Sequence, residues 1–114
     1  MLAKLKARDQ EVRAHEAAHM AAGGSLVKGG ASFTYQRGPD GALYAVGGEV
    51  SIDTSPERDP RATLAKAERI RAAALAPSDP SSTDRAAAAA AGAMAAQASA
   101  ELARQNRPGL DLRA

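Results

Sequence analysis

The chain has only two histidines, and they stand four residues apart in the segment His15–His19, which reads HEAAH. Residues at this spacing share one face of an α-helix, and Leu5 and Val12 extend the same stripe toward the amino terminus. Gly23 and Gly24 then predict the end of the helix, since glycine accepts a positive φ without strain. The pattern therefore predicts a helix over residues 2–22 whose histidine face packs against the rest of the chain.

On such a helix, His15 and His19 can both reach one metal ion. Glu16 lies about 100° around the helix axis, so it can reach a water molecule bound to the metal rather than the metal itself. This is the geometry of the HExxH pattern, in which zinc activates water and the glutamate accepts its proton. The alternative is a pair of solvent-facing histidines on a charged helix, but the stripe that they share with apolar residues argues against it. We therefore expect Zn²⁺ bound by His15 and His19, with Glu16 as the catalytic base.

A catalytic zinc site needs a third protein ligand and keeps one position open. The chain has no cysteine and no further histidine, and Ser25 stands where the longer HExxHxxGxxH pattern has its third histidine. The third ligand must therefore be a carboxylate. The downstream candidates considered are Asp40, Glu49, Asp53, Glu57 and Asp59.

Glu49 is the favoured candidate because it follows Gly47 and Gly48, where a bulge or a close approach of the backbone to the helix is expected. Asp53 lies on the same strand face and is the main rival; whichever carboxylate is not a ligand could orient a histidine through its free N–H. Successive side chains of a strand point to opposite faces, so Glu49 faces away from the helix if Val50 faces it. The choice between Glu49 and Asp53 as third ligand therefore stays open.

Turn and capping signals divide the rest of the chain into a hairpin and two helices. Asp59 and Pro60 are a typical helix start, and alternating residues on both sides of a Gly-Pro-Asp-Gly turn predict two strands. The predicted segments are a connector at 25–30, strands at 31–37 and 42–46, a further strand segment at 49–53, and helices from 59 to about 76 and from about 79 to 105, with a stop signal at 107–109. The prediction is a single α+β domain over residues 1–114, a minimal zincin-like fold.

Composition bounds what this domain can do. Aromatic residues make up only 3% of the chain, so the core must be thin, and a bound metal would add to its stability. Tyr35 and Tyr44 could donate a hydrogen bond to an oxyanion, but the simpler interpretation is that they are core residues of the hairpin. The net charge of +2 is spread along the chain, which gives a weak signal for nucleic acid. The longest apolar run is too short to span a bilayer.

Three stretches carry a resemblance to a known family. The segments ARDQEVRAHEAAHMAAGG, TYQRGPDGALYAVGGEVSID and IRAAALAPSDPSSTDRAAAA, within residues 6–100, resemble the bacterial SprA-related family, whose members are described as zinc metalloproteases. The resemblance implies His15, Glu16 and His19 as the family's site. It also marks GGEVSID as a signature, which contains both Glu49 and Asp53.

Two functions follow as expectations. The first is a gluzincin-like zinc metallopeptidase that acts on a peptide or protein substrate, with no nucleic-acid or membrane partner. The second is a metal-stabilised binding or scaffold domain without turnover. Glu16 favours the enzyme, because a structural zinc site does not need it, whereas the small size of the chain favours the scaffold. A cytoplasmic location is the default expectation, since no signal peptide or transmembrane segment is evident, and export without a classical signal stays open.

Overall fold

The computed structural model describes residues 1–106, which form one helix, a β-hairpin and two further helices. The elements are α1 (Leu2–Gly23), a 3₁₀ turn (Gly24–Leu26), β1 (Val27–Arg37), β2 (Leu43–Ile52), α2 (Pro60–Ala74) and α3 (Ser82–Gln105). The two strands pair antiparallel in a two-stranded sheet. This order confirms the predicted α+β class. The predicted stop signal at 107–109 lies outside the described residues.

The hairpin is longer and more continuous than predicted. The segment at 25–30 is not a loose connector, because β1 already begins at Val27, which pairs with Ile52. The second strand also runs without a break through the two glycines, so the expected further strand segment is part of β2. Between the paired residues Gly47 and Ala45, Val46 has no partner on β1, which makes a β-bulge beside the glycines. Pairing at Val27 and Lys28 supplies backbone hydrogen bonds that a loose connector would lack, and the register shifts again between Lys28 and Ser32.

The hairpin turn forms as its residues predict. Gly41 has a φ of 84°, a conformation that glycine adopts without strain. The Asp40 carboxylate accepts a hydrogen bond from the Ala42 N–H at 3.2 Å and another from the Tyr44 hydroxyl. Asp40 therefore has the turn role expected of it. Tyr35, by contrast, is 47% exposed and is not the core residue that was expected.

Side chains cap both later helices. Asp59 accepts a hydrogen bond from the Arg61 N–H at 2.9 Å, with Pro60 in the first turn, as predicted. The third helix begins three residues later than predicted, at Ser82. There the Ser81 hydroxyl accepts from the Asp84 N–H at 3.0 Å, and the Asp84 carboxylate accepts from the Ser81 N–H at 2.9 Å. This reciprocal capping box fixes both the start of α3 and the position of the Asp84 side chain.

The core is small, as the composition predicts. Leu26, Ile70 and Ala91 form its centre, with Ile52 and Met94 packed against them. Helix α2 packs along α3, and α1 packs on β2 and on α2, whereas α1 and α3 make little contact of their own. The described chain is elongated, with a longest dimension of 74 Å. A side-chain interaction between α1 and α3 would therefore be one of the few direct links between these two helices.

A buried lysine fastens the β2–α2 loop to α2. The Lys66 ammonium donates to Asp53 at 3.1 Å, to the Ser55 hydroxyl at 3.2 Å and to Glu57 at 3.0 Å. Hydrogen bonds from the Ser55 hydroxyl and backbone N–H, together with Lys66, hold the pKa of Asp53 far below its usual value of 3.8. The loop is thus held by charge rather than by apolar packing.

The low pKa of Asp53 predicts a pH-dependent contribution to stability. The folded state favours the ionised carboxylate, so its contribution is complete above about pH 5 and is lost as the pH falls below 3.8. We expect Asp53→Asn to lower the urea midpoint of unfolding at pH 7 and to lower it less at pH 3.5. A midpoint difference that stays the same at both values would contradict this assignment.

Candidate metal centre

The two histidines of α1 meet a single carboxylate at the start of α3. His15 Nε2 lies 2.8 Å from Asp84 Oδ2, and His19 Nε2 lies 3.1 Å from Asp84 Oδ1. His15 and Asp84 are 69 positions apart in the sequence. His19 and Glu16 are buried, and His15 is half-buried. The site therefore joins the two helices that otherwise barely touch.

The hydrogen bonds of His19 indicate how its ring is protonated. His19 Nδ1 lies 2.8 Å from the Ala73 carbonyl oxygen, which can only accept, so Nδ1 carries a proton. In the neutral ring, Nε2 then presents a lone pair to the Asp84 oxygen. Two lone pairs at 3.1 Å repel each other unless Nε2 is also protonated or a cation lies between them. A metal-bound histidine commonly makes this second hydrogen bond to a backbone carbonyl, so the arrangement fits a metal ligand.

The spacing of the three side chains also fits a metal ion. His15, His19 and Asp84 each offer one ligand atom, and these atoms lie within 4.8 Å of one another. Zinc ligands at about 2.0–2.2 Å in a tetrahedron lie about 3.3–3.6 Å apart. The two short contacts are to different oxygens of Asp84, 2.8 Å to Oδ2 and 3.1 Å to Oδ1, so the side chains would shift to place three ligand atoms at that spacing. Two nitrogens and one carboxylate are, in addition, a normal ligand set for catalytic zinc.

The surroundings of Asp84 favour the ionised form of its carboxyl group. Burial raises the pKa of this carboxyl, but hydrogen bonds from the Ser81 N–H and from His15, with the nearby His19, outweigh burial and leave the pKa below its usual value. One carboxylate thus caps α3 and faces both histidines. A metal ligand must be deprotonated, so this environment suits the role.

Glu16 lies beside the group formed by His15, His19 and Asp84, against the backbone of β2. Its residue exposure is 5%, and its carboxylate makes no hydrogen bond or ion pair with another group within residues 1–106. No buried side-chain oxygen in these residues lacks a partner, so the Glu16 carboxylate oxygens reach the solvent of the cleft that it lines. A Cβ added to Gly48 would lie 3.0 Å from Glu16 Cγ and 3.0 Å from Phe33 Cδ1. The close approach predicted at the two glycines is therefore confirmed, and it positions Glu16.

The structure does not bring the expected third ligand to the histidines. Across the described residues, the only group of three that could hold a metal contains Asp84 rather than Glu49. Glu49 is exposed, and it follows Gly48 on the strand, so its side chain leaves the opposite face from the one that meets Glu16. The rival Asp53 is bound to Lys66 and Ser55. The geometry thus favours Asp84 over both candidates.

Asp84 lies downstream of every carboxylate that the sequence pattern offered as a candidate, the last of which is Asp59. The available signal was the Ser-x-x-Asp pattern at residues 81–84, which predicts a capping box and so fixes an acidic side chain in the first turn of a helix. This segment also lies within the third stretch that resembles the family. Capping explains the residue locally, however, and only the packing of α2 against α3 brings that turn to the histidines.

The group formed by His15, His19 and Asp84 opens into a cleft of about 1130 Å³. One wall is α1, the second is β2 with the start of its following loop, and the third is the α2–α3 loop with the first turns of α3. Its lining includes Arg8, Glu11, Glu16, Gly48, Glu49 and Asp79. Neither tyrosine lines this cleft, so neither is placed to bind an oxyanion there.

The close contact at Gly48 predicts a specific effect on Glu16. If Glu16 is the expected base, Gly48→Ala should lower kcat/KM about 10- to 100-fold while metal content is retained. The new Cβ would lie 3.0 Å from Glu16 Cγ and from Phe33 Cδ1 and 3.2 Å from the Ser32 carbonyl oxygen, and none of these nearest atoms belongs to His15, His19 or Asp84. Gly47→Ala is the matched control, since its Cβ would meet Thr34 at an ordinary 3.8 Å. Metal analysis and peptide cleavage measure the two effects. Equal losses in both variants would contradict the role of Gly48.

The fold and the site together define a small α+β protein that carries an HExxH helix and a His-His-Asp group. A family model, the SprA-related family, matches residues 1–110, and the chain belongs to this family. Neither a curated protein nor a solved structure matches the chain significantly. Within residues 1–106, no helix combines the length and the hydrophobicity needed to cross a membrane.

Proposed function

We propose that the chain is a zinc-dependent metallopeptidase in a minimal zincin-like fold, with His15, His19 and Asp84 as metal ligands and Glu16 as the general base. The observation that carries the proposal is the meeting of both histidine Nε2 atoms with one carboxylate while His19 Nδ1 is committed to a backbone carbonyl. A cation bound between the three groups would remove the repulsion between Asp84 and the Nε2 lone pair of the neutral His19 ring. The acidic ligand comes from α3, which replaces the expectation of Glu49.

When bound at this site, zinc supplies a Lewis acid that activates water and polarises a peptide carbonyl. Glu16 takes a proton from the attacking water and delivers it to the departing amine nitrogen. Burial of Glu16 in the wall of the cleft keeps its carboxylate directed at the reacting groups. Ala73 fixes the ring of His19 through its carbonyl, and Ser81 fixes the carboxylate of Asp84 through its N–H. The substrate peptide lies in the cleft between β2 and the α2–α3 loop.

A scaffold function is the second candidate. The His-His-Asp group links α1 to α3, which make little contact otherwise, and a metal would serve that link without any turnover. The position of Glu16 is the observation against it, because Glu16 lines the same cleft as His15, His19 and Asp84. A purely structural metal site does not need this carboxylate.

Metal content of ligand variants tests the proposed site. We expect about one zinc per wild-type chain, and an affinity at least about 100-fold weaker in His19→Ala and in Asp84→Asn. This loss exceeds the roughly 10- to 100-fold cost of removing an outer partner of a ligand. Asp84→Asn keeps a side-chain oxygen for the Ser81 N–H, so its effect is separate from capping.

Glu49→Gln is the control for this experiment and should bind zinc like the wild type. Elemental analysis and competition with a zinc chelator give the stoichiometry and the affinity. If Glu49→Gln loses the metal and Asp84→Asn keeps it, then Glu49 is the third ligand after all. If the wild type binds no transition metal, the proposal fails.

A further inference from the structure

Helix α1 holds the backbone of the β-bulge in β2. The Asp9 carboxylate accepts a hydrogen bond from the Ala45 N–H at 2.8 Å, and Arg8 Nε donates to the Val46 carbonyl oxygen at 3.3 Å. Val46 is the residue of the bulge that has no partner on β1. Two consecutive side chains of the helix therefore fix the strand at the point where its pairing with β1 is interrupted.

The hydrogen bond between Asp9 and Ala45 lies on the same side of α1 as Glu16. Resting on the proposed function, we infer that Asp9 is a positioning residue for catalysis, because it fixes where Gly48 lies along α1 and thereby where the Glu16 carboxylate is held. Asp9 and Glu16 are seven residues apart. This spacing is about two turns of a helix, so both side chains face β2.

The two contacts between α1 and β2 have matching spacings on the helix and on the strand. Seven residues of α-helix rise about 10.5 Å, and three residues of β-strand extend about 10 Å. The two elements run in the same direction here, since Asp9 meets Ala45 and Glu16 meets Gly48. The hydrogen bond at the first contact therefore fixes which residue of β2 arrives at the second. A slip of the strand by one residue could put Glu49, which has a side chain, in the place of Gly48.

The Asp9 carboxylate is charged and shielded enough for this role. Its side chain is 20% exposed. The hydrogen bond from the Ala45 N–H contributes most to lowering the pKa of Asp9 below its usual value, and Arg13 lowers this pKa further. The hydrogen bond to the strand is thus charge-assisted at neutral pH. Asp9 is not among the residues that line the cleft, so it acts through the strand rather than on the substrate.

Two substitutions at Asp9 separate positioning from stability. Asp9→Ala removes the acceptor, whereas Asp9→Asn keeps a side-chain oxygen for the Ala45 N–H. In the zinc-loaded, full-length protein we expect Asp9→Ala to lower kcat about 10- to 100-fold, because a misplaced base slows the chemical step. Its KM and zinc content should stay close to those of the wild type, and Asp9→Asn should recover most of the lost rate.

Asp40→Ala is the matched control for a loss of hairpin stability. Asp40 also accepts a hydrogen bond from a backbone N–H of the hairpin, that of Ala42, but it does so at the turn and outside the cleft lining. Asp40→Ala should therefore lower the Tm while its kcat at a temperature where it is folded stays close to that of the wild type.

Nuclear magnetic resonance of the same proteins measures the positioning without turnover. The wild type should show a nuclear Overhauser effect between Gly48 Hα and Glu16 Hγ, since a Cβ at Gly48 would lie 3.0 Å from Glu16 Cγ. This effect should disappear in Asp9→Ala and persist in Asp9→Asn. In the wild type, the Ala45 amide proton should exchange with solvent at least about 100-fold more slowly than in an unstructured peptide. The exchange measurement needs no variant to fold.

Several outcomes would overturn the inference. They are an unchanged nuclear Overhauser effect or an unchanged kcat in Asp9→Ala, no recovery in Asp9→Asn, an equal loss of kcat in Asp40→Ala, and rapid exchange of the Ala45 amide in the wild type. A wild type that cleaves no peptide would instead contradict the proposed function. The nuclear Overhauser effect between Gly48 and Glu16 would still decide whether Asp9 positions that side chain.

Discussion

Replacing Glu16 by glutamine should abolish peptide hydrolysis while zinc binding and folding remain. Glutamine is nearly isosteric, so it fills the same space against Gly48, but it cannot take a proton from the attacking water. We expect kcat to fall about 100- to 10,000-fold, the usual contribution of a positioned general base. The measurement is cleavage of a peptide library by the two purified proteins at equal zinc content.

Two comparisons make this result specific to Glu16. Glu49→Gln also removes one carboxylate from the cleft lining, but it should cleave neutral peptides at a rate close to that of the wild type. Zinc content and circular dichroism of Glu16→Gln should match those of the wild type, because the ligands and the core are unchanged. A Glu16→Gln protein that cleaves as fast as the wild type would show that the proposed base is wrong. A wild type that cleaves nothing in the library would favour the scaffold.

Removing the metal should cost a large share of the stability of the chain. The site ties α1 to α3, which share little other contact, and the core is built around Leu26, Ile70 and Ala91. At free zinc about 1,000-fold above Kd, binding contributes about 4 kcal/mol to the free energy of unfolding. For a chain of this size, that corresponds to a fall in Tm of roughly 15–30 °C on treatment with a chelator.

The ligand variants supply the control for this experiment. In His19→Ala the Tm should already be low, and the chelator should change it little, because little zinc remains to be removed. Asp84→Asn should behave in the same way while it retains the cap of α3. Equal melting temperatures of the wild type with and without chelator would show that the metal, if bound, does not hold the helices together.

Most of the secondary structure was predictable because local interactions fix it. The end of α1 at the glycine pair, the hairpin turn at Gly38–Gly41 and the Asp59-Pro60 cap each depend on residues within a few positions of one another. The errors occurred where pairing between distant segments decided the outcome. The segment expected to be a connector is part of β1, because Val27 pairs with Ile52 on β2. No local pattern reveals that partnership.

Part of the metal site was also local, and part was not. His15, Glu16 and His19 lie on one helix, so the sequence alone determined their common face and the kind of chemistry that they suit. The third ligand depends on how the chain returns to that face. Helix α2 packs along α3, and this brings the first turn of α3, with Asp84, to both histidines.

Two glycines show the division between sequence and tertiary structure most clearly. The sequence predicted that the backbone comes close to another element at Gly47 and Gly48, since neither residue has a side chain. Only the folded chain decided that Gly48 lies against Glu16 and that Glu49 then leaves from the opposite face of β2. Composition and spacing therefore determined which residues could bind a metal. Packing determined which carboxylate lies beside both histidines, because the direction of a side chain where two elements cross depends on the register between segments far apart in the chain.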